Sequence, residues 1–333
     1  MNEFLEIVGI VVVIWTFIEG LWTTIWVDGN SGPLTSRLTS WFWKMLRLVV
    51  GNRNHKLLSL AGPLVLFGTV AVYILLIWLG WTLIFYAQSD AIVNSSTTAL
   101  PDFSDVLWYI AYTMFTVGNG GFIPNGNTWQ VLSAFVAFSG MAMVTLMITY
   151  LLQVVAAVAQ KRALASQITG VGQTAEEFVI KQWDKDSFGA IELQLSSLSQ
   201  QLAQITEQHL SFPILHFYHA ARVEKSLNVA VAILDDALSL IELGVDEKYH
   251  PPQTILSSTR KSVDSFLTTL QSAFIQTADE EPQRPDLGRL REAGLPVVDE
   301  KQFEDRMANL TQRRKLLLGF INNGAWHWPA PNK

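Results

Sequence analysis

Apolar residues crowd into three long runs, Phe4 to Val27, Leu57 to Ala87 and Thr128 to Gln160. Each reaches the roughly 20 residues that an α-helix needs to cross a hydrocarbon core. The first run begins with Glu3 and Glu6 and ends at Trp22, Trp26 and Asp28. A cleaved signal peptide has the opposite polarity, so this run reads as a retained span. Glu19 lies inside it, either as a functional intramembrane carboxylate or as a group near the headgroups or bonding a neighbouring helix. From Leu34 to Val50 the pattern changes. Leu34, Leu38, Trp41, Met45 and Leu48 recur at helical spacing, with Arg37, Lys44 and Arg47 elsewhere on the wheel. That is an interfacial amphipathic helix with basic anchors, or a plain linker helix. In the second run, Gly62-Pro63 marks the helix start, because Pro is tolerated in a first turn.

Between the second and third runs lies FSDVLWYIAYTMFTVGNGG, Phe103 to Gly121. Its apolar part ends at Val117 after about 15 residues, too short to cross as a helix. Asp102 and Asp105 have the spacing of a helix cap followed three residues later by a carboxylate. A short helix is therefore expected to begin there and to stop at Gly118, Gly120 and Gly121. Backbone at membrane depth must be paired, buried in protein or lining a water-filled path. Free carbonyls in this loop are candidates to face a cation, since a carbonyl oxygen can replace a hydration water. Taken alone, a Gly-Asn-Gly-Gly turn in a soluble protein would read the same way.

Half of the residues are hydrophobic and 16% are charged, and the charge is unevenly spread. No Lys or Arg occurs between Leu57 and Gln160, whereas 18 of the 23 lie from Lys161 onward. Such a break marks two environments in one chain. Arg37, Lys44, Arg47, Arg53 and Lys56 fall between the first two spans, and Lys161 and Arg162 follow the third. The positive-inside bias then puts the amphipathic loop and the C-terminus in the cytoplasm and the N-terminus outside. Three spans and one re-entrant loop result, with the loop entering from outside in a cell membrane. Asp90, Asp102 and Asp105 either concentrate cations at its mouth or are ordinary solvated loop residues. A net charge of −6 argues against nucleic-acid binding, and the absence of cysteine excludes disulfides and thiolate metal sites.

Leu107 to Gly121, LWYIAYTMFTVGNGG, resembles the pore helix and selectivity filter of tetrameric potassium channels, whose filter usually reads TVGYGD. The likeness rests on Thr116, Val117, Gly118 and Gly120, on the aromatic pair Trp108 and Tyr109, and on the Thr113-Met114 step. It implies an all-α membrane protein with a potassium-channel-like pore domain of outer helix, pore helix, filter and inner helix. To that core the sequence adds an N-terminal span and a C-terminal helical cytoplasmic domain. The resemblance further implies that Thr116, Val117, Gly118, Asn119 and Gly120 bind the permeant ion, with Trp108 and Tyr109 supporting the filter. One loop per chain implies a homotetramer. Gly140 matches the family's inner-helix hinge glycine, or belongs to a packing patch with Ser139 and Ala142. Met141, Val144, Ile148 and Leu152 share a helical face and are candidates for the inner pore lining. Asn119 replaces the family's aromatic and Gly121 its aspartate. A potassium channel is thus the first reading and a non-selective monovalent cation channel (Na+/K+) the second, with a non-conducting membrane sensor third. Potassium-uptake transporter subunits carry four such repeats in one chain, and here there is one. No cofactor is expected beyond K+ or Na+ as permeant ion, and the expected partners are copies of the chain and membrane lipid.

The expected domains are 1–30 (first span), 31–56 (amphipathic helix and loop), 57–160 (pore), 161–173 (linker) and 174–333 (cytoplasmic helical domain). Gly170 to Ala175 imitates a dinucleotide fingerprint, but it follows a helix and precedes no strand–helix alternation, so it is read as linker. Helices are expected at Thr174 to Leu243, with one segment from about Ala220 to Leu243, then at Gln253 to Thr277 and Lys301 to Asn322. His209, His216 and His219 read as ordinary histidines or, with a ligand brought in by folding, as a metal site. Arg313-Arg314-Lys315 reads as a solvated helix face or as a contact for anionic lipid. The domain is expected to assemble the tetramer or to sense a regulatory ligand. Nothing in the sequence points to catalysis: no nucleophile lies near a base and no phosphate loop is credible.

Overall fold

The computed structural model describes residues 2–26, 32–50, 54–118, 120–271 and 275–329. Among the described residues the chain is all-α apart from one small two-stranded antiparallel sheet, whose strands flank α5, and an isolated bridge between Val245 and Val297. In order come α1 (Asn2–Ile25), α2 (Pro33–Val50), α3 (His55–Leu58), α4 (Ala61–Ala87), β1 (Ile92–Asn94), α5 (Phe103–Met114), β2 (Phe122–Pro124) and α6 (Asn127–Val171). There follow α7 (Ala175–Gln182), α8 (Ile191–Ser211), α9 (Leu227–Ser239), α10 (Gln253–Gln271), α11 (Leu287–Glu292), α12 (Glu300–Met307) and α13 (Thr311–Asn323). Among the described residues three helical segments are long and apolar enough to cross a membrane: Glu3–Ile25, His55–Ala87 and Asn127–Val171. The chain divides into two compact units, Met1–Phe42 with Pro63–Val154, and Trp43–Gly62 with Val155–Lys333.

In the first unit α1 packs on α4 and α6 through glycines. A Cβ on Gly9 would lie 2.6 Å from the carbonyl oxygen of Gly80, and one on Gly80 would lie 2.7 Å from Val13. Only hydrogen at both positions lets the two backbones come this close. The opposite side of α1 leaves Ile7, Val11, Ile14, Ile18 and Trp22 exposed, as a lipid-facing stripe requires. Glu19 is 1% exposed, and its Oε1 accepts hydrogen bonds from the amides of Leu34 (2.8 Å) and Thr35 (3.0 Å). It thereby caps the N-terminus of α2, where unpaired N–H groups and the helix dipole favour an anion. Of the two readings of Glu19, this is the bond to a neighbouring helix. Beside it the hydroxyls of Thr23, Thr35 and Tyr73 bond one another, Thr23 to Tyr73 at 3.1 Å.

The second unit has a core of its own, built from Leu195, Leu198 and Leu202 of α8, Val263 and Phe266 of α10, and Leu317 and Phe320 of α13. Helix α9 is buried at every residue except Asn228, Asp235 and Asp236 included. Carboxylates so placed need cations. Asp235 receives Arg260 at 2.8 Å and Arg313 at 2.5 Å; Arg313 also pairs with Asp264 and Arg314 with Asp236. Burial pushes the Asp235 carboxyl up, but the Arg260 and Arg313 guanidiniums outweigh it and the net shift is downward. For Asp236 burial wins over Arg314, raising the carboxyl to about 7. Arg314 is 0% exposed, so the expectation of a solvated or lipid-touching Arg313-Arg314 face fails: these arginines neutralise the carboxylates of α9.

Three boundaries differ from the sequence reading. Residues 161–173, expected as a linker, are almost all helix, because α6 continues to Val171. Gly172 then packs so tightly that a Cβ would lie 2.3 Å from the amide of Phe178. The helix expected from Ala220 starts at Leu227, after 3-10 turns at Pro213–Phe217 and Val223–Lys225, and closes through a π turn, Leu240–Gly244. The helix expected over Lys301 to Asn322 is two, α12 and α13, joined by a 3-10 turn, Ala308–Leu310. Among the described residues no group of three or more His, Asp or Glu is placed to hold a metal ion.

Candidate functional site: the pore loop

Helix α5 is fixed at both ends and along one face. At its start Asp102 accepts from the Asp105 amide (2.8 Å) while Asp105 accepts from the Asp102 amide (3.0 Å), a complete capping box. A further bond from Ser104 and the Asp105 amide hold the Asp102 carboxyl below its ordinary value. Along its buried face lie Val106, Tyr109, Ile110, Tyr112 and Met114. Large aromatics with polar tips lock this face, since each tip finds a buried partner. Trp78 of α4 donates to the Leu107 carbonyl at 2.9 Å. Tyr109 shares a hydrogen bond with Ser133 of α6 at 2.6 Å, and its ring packs on Phe85. Tyr112 donates to the Phe122 carbonyl at 2.8 Å, tying the helix to the strand beyond the loop.

The helix ends sharply. The Thr116 and Val117 amides turn back to the carbonyls of Thr113 (3.1 Å) and Tyr112 (2.9 Å). Thr116 has φ +55° and Gly118 φ +68°. For Thr116 this left-handed value is strained, since β-branched side chains resist it. Past the turn, β2 pairs antiparallel with β1, Ile92 opposite Pro124 and Asn94 opposite Phe122, and the Ser95 amide donates to the Gly121 carbonyl at 3.1 Å. The loop is therefore anchored on both sides. Between the anchors, Thr116, Val117, Gly118 and Gly120 are exposed, and among the described residues no donor meets the carbonyls of Thr116, Val117 or Gly118. Asn119 lies outside the described residues. The two aromatics expected to support the filter part company: Tyr109 is 3% exposed and braced within the chain, while Trp108 is 54% exposed with its edge against Tyr112.

Gly140 on α6 lies against the end of α5. A Cβ there would fall 2.3 Å from Met114 Cγ and 2.5 Å from the Met114 carbonyl oxygen. Next to it Ser139 accepts a hydrogen bond from Trp81 at 2.9 Å. Further along α6, Met143, Met147 and Tyr150 are buried, whereas Met141 (57%), Ile148 (54%) and Leu152 (63%) are exposed and Val144 is half-buried. Thr145 and Thr149 share that exposed face, so it is less uniformly apolar than the four candidates alone suggest. Sequence reasoning passed over Trp78, Tyr112 and Ser133, and named Ser139 only as part of a packing patch. The available signal was the number of aromatic and hydroxyl side chains in spans that otherwise lack polar groups.

Residues 71–157 match the family described as Ion_trans_2, ion channel. That range takes in most of α4, the whole of α5, the loop and α6 as far as Ala157. Over 330 residues the chain is 36% identical to the uncharacterized membrane protein YdjJ of Bacillus subtilis (strain 168), an alignment covering 99% of this chain and 96% of the relative. The chain belongs to the YdjJ family. No solved structure matches it. This YdjJ-family chain is a membrane protein with an ion-channel domain, and the loop after α5 lies inside that domain.

Proposed function

We propose that the protein is a homotetrameric channel that passes potassium down its gradient, with Thr116 to Gly120 of four chains forming the filter. The observation that carries this reading is the anchored loop whose successive carbonyls at Thr116, Val117 and Gly118 meet no donor among the described residues. Four such loops around an axis offer stacked rings of oxygens in place of a hydration shell. Helix α5 supports the same reading: its capped N-terminus places its partially negative C-terminus next to the loop, where a cation is favoured. The apolar exposed positions on α6 would line the inner pore or meet neighbouring chains. With the positive-inside bias, the loop enters from outside and the C-terminal unit is cytoplasmic. A non-selective Na+/K+ pore is the second reading, favoured by Asn119 and Gly121 in place of the family's aromatic and aspartate.

The test has two parts. Native mass spectrometry of the purified protein should give four chains. Liposomes loaded with potassium should release it when the protein is incorporated, with release slowed at least tenfold by Gly118→Ala, which forces a side chain onto a positive φ. A monomer, or release identical in the variant, would overturn the proposal.

A further inference from the structure

The second unit holds a pocket whose walls carry cations and hydrogen-bond donors and, among the described residues, no carboxylate. Lys161, Arg162, His209, Lys225, Ser226 and Asn228 contribute to its lining. The cavity itself is small, about 30 Å³, and opens to solvent.

Lys161 is the anomaly. It is 9% exposed, and its Nζ donates to the carbonyls of Leu215 (2.9 Å) and Tyr218 (3.2 Å). Those oxygens solvate the ammonium without neutralising it, and a buried charge without a counter-ion is costly. Elsewhere in this unit Arg260, Arg313 and Arg314 each meet carboxylates. Among the described residues Lys161, Arg162 and Lys225 make no ion pair at all.

Helix α9, 13 residues long, begins at the same pocket. Ser226 at its N-cap makes no capping bond and, among the described residues, its hydroxyl has no partner, although the residue is only 2% exposed. Among the described residues the first amides of α9 likewise lack acceptors, and an uncapped helix start attracts anions. His209 donates through Nδ1 to the Ile205 carbonyl at 2.9 Å, which leaves Nε2 without a protein partner among the described residues. One wall is held rigid by Trp326, stacked on His55 at 3.9 Å between ring centroids and on His219 at 5.5 Å. A metal cation would be repelled by the three fixed positive charges.

We propose that this pocket binds a phosphate-bearing ligand, its oxygens held by Ser226 and the start of α9 and its charge met by Lys161, Arg162 and Lys225. A phosphoryl group suits donors converging from several directions, because it offers several acceptor oxygens and close to two negative charges. The group would come either from a free phosphate ester or from a phospholipid headgroup. Trp43 of the amphipathic α2 also lines the pocket, which is the point in favour of the headgroup. Lys161 and Arg162 lie on α6, the helix that carries Met141 to Leu152, so occupancy has a covalent route to the proposed pore. Binding itself does not rest on the channel reading and is measured without current.

The experiment is calorimetry on the full-length protein in detergent, titrating pyrophosphate against sodium chloride of equal ionic strength. A parallel arm compares thermal stability in nanodiscs of phosphatidylcholine alone and with phosphatidic acid. Lys225→Gln changes an exposed side chain and leaves the core untouched; Arg162→Gln and Lys161→Met probe the interior. Saturable pyrophosphate binding, one site per chain and weakened at least tenfold by Lys225→Gln and by Arg162→Gln, supports the proposal with a soluble ligand. Stabilisation by phosphatidic acid alone, lost in the same two variants, supports it with a lipid headgroup. No response to either probe, or a response undiminished in both variants, overturns it.

Discussion

Gly140→Ala tests whether the contact between α6 and the end of α5 holds the pore loop in place. The added methyl would sit 2.5 Å from the Met114 carbonyl oxygen and 3.1 Å from its carbonyl carbon. The Met114 side chain, 2.3 Å away at Cγ, is flexible and can yield. Its backbone cannot, because Met114 is the last residue of α5 and Thr116 follows in the strained turn. Restoring ordinary contact needs a shift of about 1 Å, and overpacking of this kind costs about 1–3 kcal/mol. The substitution should therefore lower thermal stability and also lower unitary conductance in a planar bilayer. Ser139→Ala is the control: it removes the Trp81 bond on the same helix without pressing on α5, at about 1 kcal/mol. If Gly140 served only as a hinge, Ala would change open probability while leaving stability and conductance as in the parent. That outcome would refute the packing role.

Further outcomes follow from the buried polar groups. Glu19→Gln should cost about 1 kcal/mol, since it keeps an acceptor for the start of α2 and loses only the charge. Glu19→Ala should cost more, about 1–3 kcal/mol for each orphaned amide; equal unfolding midpoints for the two in a denaturing-detergent titration would contradict the cap. Asp235→Asn leaves Arg260 with Glu242 and Arg313 with Asp264 as their remaining carboxylates, so the loss falls at the low end of about 3–5 kcal/mol, visible as faster hydrogen exchange across α9 and α13. Unchanged exchange would show that the network carries no stability. Burial, with Lys161 next, holds the His209 imidazole down to about 3. A base depressed in the folded state contributes stability that is complete above its unfolded value, near 6.5, and is lost as pH falls toward 3. Each pH unit in that window removes about 1.4 kcal/mol. Asp236, raised to about 7, acts in the opposite sense, so the readout is a difference: the melting temperature of His209→Gln should fall less between pH 6.5 and 5 than that of the parent. Parallel profiles would contradict it.

The membrane plan was legible because each of its signals is local. Spans follow from run length and the capping box from Asp102 and Asp105, whereas α5 ends at Met114, four residues before the expected stop at Gly118. The position of Gly140 against Met114 was not legible, because the two residues are distant in sequence and a glycine looks the same as hinge or as contact. Asp235 and Asp236 carried a usable hint, two acids in an otherwise apolar helix, but their partners come from α10 and α13. The same distance hid the roles of Arg313 and Arg314. The continuation of α6 beyond Gln160 was obscured by Gly170, Gly172 and the change of composition at Lys161, which mark a change of surroundings and not the end of a helix. The cationic pocket joins side chains from α6, α8 and the start of α9, and only the shortage of acids near Lys161 could have hinted at it.

The central claim, a potassium-conducting pore at Thr116 to Gly120, is tested most directly by the reversal potential of the purified protein in a planar bilayer. Potassium would bathe one side and sodium the other. The expected value lies near the potassium equilibrium potential, and it should collapse toward zero in Gly118→Ala. A parent value near zero with cation current would contradict potassium selectivity and leave the non-selective pore in its place.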